Sequence, residues 1–166
     1  MKQLFIVLLG GKHPRASIEV HDIVIATGTH LGDTHAQLRQ QWFGSPKGLH
    51  IDAWMQVDGI DGYRLHFNDS LPAANEPRLF LINLGGYLPE TFGESHRYQL
   101  VVAADATEAK RLGKQRIPSA WAKPHTDAII DIDDCLPLDY VDGCHINLIP
   151  GPHRPPHFEN DYILLD

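Results

Sequence analysis

The chain has 166 residues with 14 Lys plus Arg against 21 Asp plus Glu, a formal charge of −7, and 43% apolar residues. That length fits one ordinary domain or two small ones, and the apolar share excludes a disordered chain. The negative charge excludes nucleic acid as a partner by preference, because an acidic surface repels phosphates.

The first apolar run, Leu4–Leu9, is followed by Gly10-Gly11 and has six residues. It is too short for the usual core of a signal peptide, and no run approaches the roughly 18 to 20 residues that span a bilayer. The pattern LFxxxLGG at Leu4–Gly11 returns at Leu79–Gly86, so the segment reads as structure. The expectation is a cytoplasmic protein with no membrane partner.

The same offset of 75 holds along the chain. Pro14 corresponds to Pro89, Glu19 and His21 to Glu94 and His96, and His50, Asp52 and Ala53 to His125, Asp127 and Ala128. Asp61-Gly62 returns as Asp142-Gly143 at an offset of 81, which places a six-residue insertion around Cys135–Tyr140. The polar, proline-bearing stretch Asn68–Arg78 reads as a linker.

The expected organisation is therefore a first repeat over 1–67, a linker over 68–78, a second repeat over 79–150, and an extension over 151–166 that packs back. The charge is uneven, with net −1 over residues 1–75 and net −6 over 76–166. A unit of roughly 75 residues buries a thin core, so the two repeats are expected to pair as a pseudo-dimer within one chain. Such an internal pair can serve as a monomer, with a small molecule or a protein as its partner.

Within a repeat the elements read strand, strand, helix, strand, strand. Leu4–Leu9 is a strand buried on both faces and Val20–Thr27 a second strand. His30–Phe43 is a helix with Leu31, Leu38 and Trp42 near one side, and its counterpart Ala106–Ile117 begins with a capping box of Asp105 and Glu108. Ile51–Val57 and Tyr63–Phe67 form a hairpin. The fold class is α+β: a tandem duplication of a ββαββ unit, two sheets each with one covering helix, in a pseudo-twofold arrangement.

Two polar motifs occur in both repeats: ExH at Glu19/His21 and Glu94/His96, and HxD at His50/Asp52 and His125/Asp127. Residues two apart on a strand share a face, so each motif sets a carboxylate beside an imidazole. Such a set can hold Zn²⁺ or another divalent metal, with His21, His50 and Asp52 as ligands, or serve acid-base chemistry. It can equally be a hydrogen-bonded strand staple, because His21 precedes Ile23 and Ile25 on its face. His50, Asp52, Trp54, Gln56 and Asp58 are expected on one face, with Ala53, Met55 and Val57 on the other.

Gly10, Gly11, Gly85 and Gly86 read as loops or bends where backbone can approach a ligand. The acidic run Asp127 to Asp142 reads as a solvated hairpin, and Cys135 and Cys144 as free thiols. No nucleophile elbow, CxxC pair or HExxH motif is present.

Leu9-Gly10-Gly11 with Pro14, then Glu19, His21 and Asp22, then Trp42-Phe43-Gly44, His50–Trp54 and Val57–Tyr63 together resemble an uncharacterised bacterial domain-of-unknown-function family. Its unit occurs once or twice per chain. The resemblance implies that single units pair as homodimers, and it implies no activity. The second repeat departs from the pattern, with Arg97 at the place of Asp22 and Cys144 at the place of Tyr63. The leading expectation is a non-catalytic ligand-binding or scaffold module. The alternative is a small metal-dependent or acid-base enzyme using Glu19, His21, His50 and Asp52.

Overall fold

The computed structural model describes residues 1–88, 90–117 and 131–165. The fold mixes two helices with mostly antiparallel sheets. Its residues divide into two compact units. The first comprises Met1–Ser70, Tyr140–His145 and Ile149–Asp166, and the second Leu71–Asp139 and Ile146–Leu148. Tyr140–His145 and the C-terminal extension thus count with the first unit. No helix among the described residues is long and apolar enough to cross a membrane.

In the first unit, β1 (Gln3–Gly11) lies between β2 (Val20–Gly28) and β3 (His50–Val57). The outer neighbour of β3 is β11 (His157–Leu164), which completes an antiparallel sheet of order β11-β3-β1-β2. Leu4–Leu9 is apolar without alternation because both faces of a central strand are covered, as in sheets buried on two sides. Phe5, Val7 and Leu9 turn to the helix side. There they pack with Val24, Ala26, Leu38, Trp42, Leu49, Ile51 and Leu165 in one core.

The helical segment is shorter than His30–Phe43. A 3₁₀ turn over Leu31–Thr34 leads into α1 (His35–Gln41). Asp33 starts the turn by accepting hydrogen bonds from the backbone N–H groups of Thr29 and His30, each at 2.9 Å. Trp42 leaves the helix with extended backbone, ψ 129°, which ends it.

The expected hairpin of Ile51–Val57 with Tyr63–Phe67 does not form. β3 pairs with β1 and β11, whereas β5 (Tyr63–Asn68) pairs with the two-residue β4 (Gly59–Ile60). The chain leaves the sheet at Gly59, where a Cβ would stand 2.4 Å from both His153 and the Tyr63 carbonyl oxygen. Only a residue without a side chain fits that bend. The β4–β5 turn is Asp61-Gly62, with φ of 53° and 84°, the positive pair of a type I′ turn.

In the second unit, β6 (Arg78–Tyr87) lies between β7 (Glu94–Ala103) and β8 (Asp131–Pro137). α2 (Ala106–Gln115) packs its Ala109 with Phe80, Ile82, Leu84, Val101 and Ala103. Asp105 caps this helix by accepting the Glu108 N–H at 2.8 Å. Glu108 accepts from Ala104, one residue before the cap, so the expected box is displaced by one position. Tyr140–His145, counted with the first unit, carries the turn of a further hairpin: β9 (Tyr140–Val141) pairs with β10 (Cys144–Pro150), and Asp142-Gly143 between them has φ of 48° and 78°.

Two expectations about strand faces change. The four glycines lie inside β1 and β6, not in loops. The register of β3 on β1 shifts between Leu8 and Leu9: Ile51 faces Leu9 and Ala53 faces Leu8, with Asp52 as the extra residue of a β-bulge. Past the bulge the alternation is inverted. Ala53, Met55 and Val57 oppose Leu8, Ile6 and Leu4 on the face of His50 and Asp52, while Trp54 packs into the helix-side core.

Candidate functional site

Gly10 is the floor of the site. His21 of β2 lies opposite it on one side, and His50 of β3 on the other. Directly opposed residues of antiparallel strands project from one face, so both imidazoles rise beside a position that has no side chain. The bulge brings Asp52 to the same place, and Glu19 reaches in from just before β2. A Cβ on Gly10 would stand 2.4 Å from Asp52 Oδ2, 2.5 Å from His50 Nε2 and 3.2 Å from His21 Cδ2. Gly10 is therefore required by crowding, since its φ is not positive. Gly11 plays the same part on the helix side, 2.9 Å from the Trp42 ring.

The four functional groups converge through few atoms. His21 Nε2 lies 3.3 Å from Glu19 Oε1 and 3.1 Å from Asp52 Oδ2. His50 Nε2 lies 3.5 Å from the same Glu19 oxygen and 3.4 Å from Asp52 Oδ1. Glu19 and His21 are half-exposed, whereas His50 is 3% exposed and lies under the Tyr162 ring at 4.5 Å between centroids. The site is walled below and open on the side of β2.

The orientation of the His50 ring follows from its neighbours. Its Nδ1 stands 2.9 Å from the carbonyl oxygen of Gly48. A carbonyl only accepts, so Nδ1 carries the proton and donates it. Nε2 faces the two carboxylates. Gly48 has φ 77°, a backbone state that favours glycine. Asp52 Oδ2 is buried and makes no hydrogen bond, despite its approach to His21.

The second unit repeats part of this arrangement. His96 lies opposite Gly85, and Glu94, His96 and Asp133 gather there. His96 Nδ1 is 3.2 Å from Asp133 Oδ2, and His96 Nε2 is 3.9 Å from Glu94 Oε2. A Cβ on Gly85 would meet Asp133 Oδ2 at 2.2 Å and Glu94 Oε1 at 2.6 Å.

The third-strand partner differs from the sequence expectation. β8 has its register shift between Asn83 and Leu84, with Asp131 opposite Gly85 and Asp133 as the extra residue. Asp131 therefore holds the place of His50 and Asp133 that of Asp52. The offset of 81 already applies here, so the six added residues precede Asp131. His125 and Asp127 lie outside the described residues. Asp131 turns to Lys114 at 3.0 Å, which holds its carboxyl below the usual carboxylate range, helped by the Ile132 N–H.

Sequence reasoning missed Gly48 and Tyr162, and it placed Asp133 in a solvated acidic hairpin. The Ile-Asp pair of Ile51-Asp52, returning as Ile132-Asp133, is the signal that finds Asp133.

The sequence matches the family model Domain of Unknown Function (DUF1543) over residues 16–67, the span that carries Glu19, His21, His50 and Asp52. A solved structure, protein Il1583 from Idiomarina loihiensis, is similar over 100% of this chain and 99% of its own, with 31% identity and a TM-score of 0.76. This chain belongs to the same family as Il1583. No curated protein matches it. Il1583 thus shares the whole two-unit chain, well beyond the DUF1543 match.

Proposed function

We propose that this DUF1543-containing chain is a divalent-metal-binding protein whose centre is formed by Glu19, His21, His50 and Asp52. One observation carries the reading: Glu19, His50 and Asp52 each offer a ligand atom within 4.8 Å of the others, and His21 stands beside them, 3.1 Å from Asp52 Oδ2. Ligands at about 2.0–2.1 Å from a tetrahedral Zn²⁺ stand about 3.3 Å from one another. The imidazole-to-carboxylate separations here run 3.5 and 3.4 Å at His50 and 3.3 and 3.1 Å at His21, the two rings meeting different oxygens of Asp52.

The electrostatics point the same way. His50 Nε2 faces the carboxylates of Glu19 and Asp52, a place that suits a cation. The Gly48 carbonyl on Nδ1 is the outer partner that ligating histidines characteristically have. A hydrogen-bonded strand staple would use charge-assisted bonds of about 2.7–2.9 Å. The His50 contacts are longer, and Asp52 Oδ2 has no hydrogen bond. Two imidazoles and two carboxylates suit Zn²⁺ and its transition-metal neighbours better than Mg²⁺ or Ca²⁺.

The two units are read as diverged copies of one ββαββ design. The second has lost its buried imidazole and binds more weakly. The exposed side over His21 leaves room for an outside ligand on the ion, so a binding module is favoured over a sealed structural centre.

The test is metal analysis of purified protein, followed by Zn²⁺ and Co²⁺ titration of the chelated protein. One tight equivalent per chain is expected, with a visible Co²⁺ spectrum that disappears in His50→Ala. No metal in the parent, or a full equivalent retained by the variant, overturns the reading.

A further inference from the structure

A second concavity of about 670 Å³ lies in the first unit, lined by residues of β1, β5 and the C-terminal tail. Lys2, Arg64 and Arg154 stand on its walls against one carboxylate, Asp58. In a chain of formal charge −7, three cations around one acid is a local reversal of sign.

The charges are not cancelled alike. Arg154 holds Asp58 twice, through Nε at 2.7 Å and its backbone N–H at 3.1 Å. Lys2 shares the more distant Asp142 at 3.4 Å. Arg64 has no acidic partner among the described residues, and its side chain lies along Gly151, where a Cβ would stand 3.3 Å from Nε.

His153 accepts the Gly62 N–H on Nε2 at 3.1 Å and donates from Nδ1 to the Arg154 carbonyl at 2.9 Å. It pins the tail across the mouth of the Asp61-Gly62 turn, and the Gly151 N–H bound to the Gly62 carbonyl at 2.9 Å does the same. Leu65, Ile149 and Pro152 supply an apolar wall beside Arg64. Two of the cations also lie outside the duplicated pattern: offsets of 75 and 81 put Pro77 and His145 where the first unit has Lys2 and Arg64.

We propose that this cleft binds a small organic anion, a carboxylate or phosphate ester on an apolar body, with Arg64 as its anchor. A guanidinium offers two parallel N–H donors that match either headgroup. The volume falls within the range of roughly 300–1,000 Å³ usual for small-molecule sites. The cleft does not use the Glu19, His21, His50 and Asp52 cluster, so its occupancy is independent of metal.

The probe is anilinonaphthalene sulfonate, an anion on an aromatic body, titrated by fluorescence into the full chain. Displacement by phenyl phosphate, benzoate and benzyl alcohol is then compared. Saturable binding is expected, displaced by one or both anions and not by the alcohol, and the better anion identifies the headgroup. Arg64→Gln is expected to weaken binding about tenfold and Arg64→Glu more, at unchanged melting temperature, while His50→Ala leaves it intact. Equal displacement by benzyl alcohol, equal affinity in both Arg64 variants, or loss of binding in His50→Ala alone overturns the proposal.

Discussion

Gly10 and Asp52 exclude one another's enlargement: a Cβ on Gly10 would stand 2.4 Å from Asp52 Oδ2. The missing side chain is the space in which the carboxylate sits. Gly10→Ala should therefore push Asp52 and His50 apart and cost about 1–3 kcal/mol by overpacking. Chemical denaturation measures the stability, and metal analysis of the same sample should show loss of the tight equivalent. A variant with parental stability and metal content would mean that the cluster has slack the geometry does not suggest.

The two units should differ in affinity. His50 has no imidazole counterpart at Asp131, which is engaged by Lys114. Isothermal titration with Zn²⁺ should resolve one tight site and a second at least tenfold weaker, the weaker one removed by His96→Ala. Asp131→His should strengthen the weak site by about tenfold or more, because an imidazole is a better zinc ligand than a carboxylate already paired elsewhere. Two equal sites in the parent would contradict the assignment of Asp131 to the place of His50.

Acid should destabilise the first unit through His35. Burial is the main cause that lowers the His35 pKa from its ordinary 6.5, with the Arg39 charge adding to it. The folded state thus binds its proton less readily than the unfolded chain. The neutral ring is tolerated in full above pH 6.5, and stability is lost as pH falls from there through the lowered value. The melting temperature of His35→Gln should fall less steeply than the parent's between pH 7 and about pH 5. Parallel curves would remove His35 from the account.

The turn at Asp61-Gly62 should be sensitive to side-chain addition at Gly62, whose φ is 84°. Gly62→Ala forces an L side chain into the left-handed region and should cost about 1 kcal/mol, read as a lower melting temperature. Gly32, with open space around it and no positive φ, is the control position. If Gly32→Ala costs as much, backbone conformation is not the cause.

Much of the site was legible because it rests on spacing. The i, i+2 pairing of Glu19 with His21 and of His50 with Asp52 survives folding, and the glycine that follows Leu9 marks where they meet. Periodicity could not reveal the bulge. One extra residue at Asp52 inverts the alternation, so Trp54 enters the core from a strand face that the pattern assigned to water. The repeat offset of 75 was carried too far because the six added residues precede Asp131: His125 and Asp127 matched as text, whereas register matches Asp131 and Asp133. The tautomer of His50 was beyond reach, because it depends on a Gly48 carbonyl aimed by a positive φ. The helix over His30–Phe43 was overextended because Trp42 and Phe43 continue its apolar stripe after the backbone has turned extended.

β11 follows the whole second unit in the chain, yet it supplies the outer strand beside β3, the ring over His50 and, through Leu165, part of the first unit's core. Synthesis proceeds from the N-terminus, so the first unit emerges early and is closed late. Until residues 157–165 arrive, β3 presents an open edge and His50 lacks its cover, the kind of unpaired edge that invites misassociation. The cluster of Glu19, His21, His50 and Asp52 is thus covered by a strand that is made only after the whole second unit.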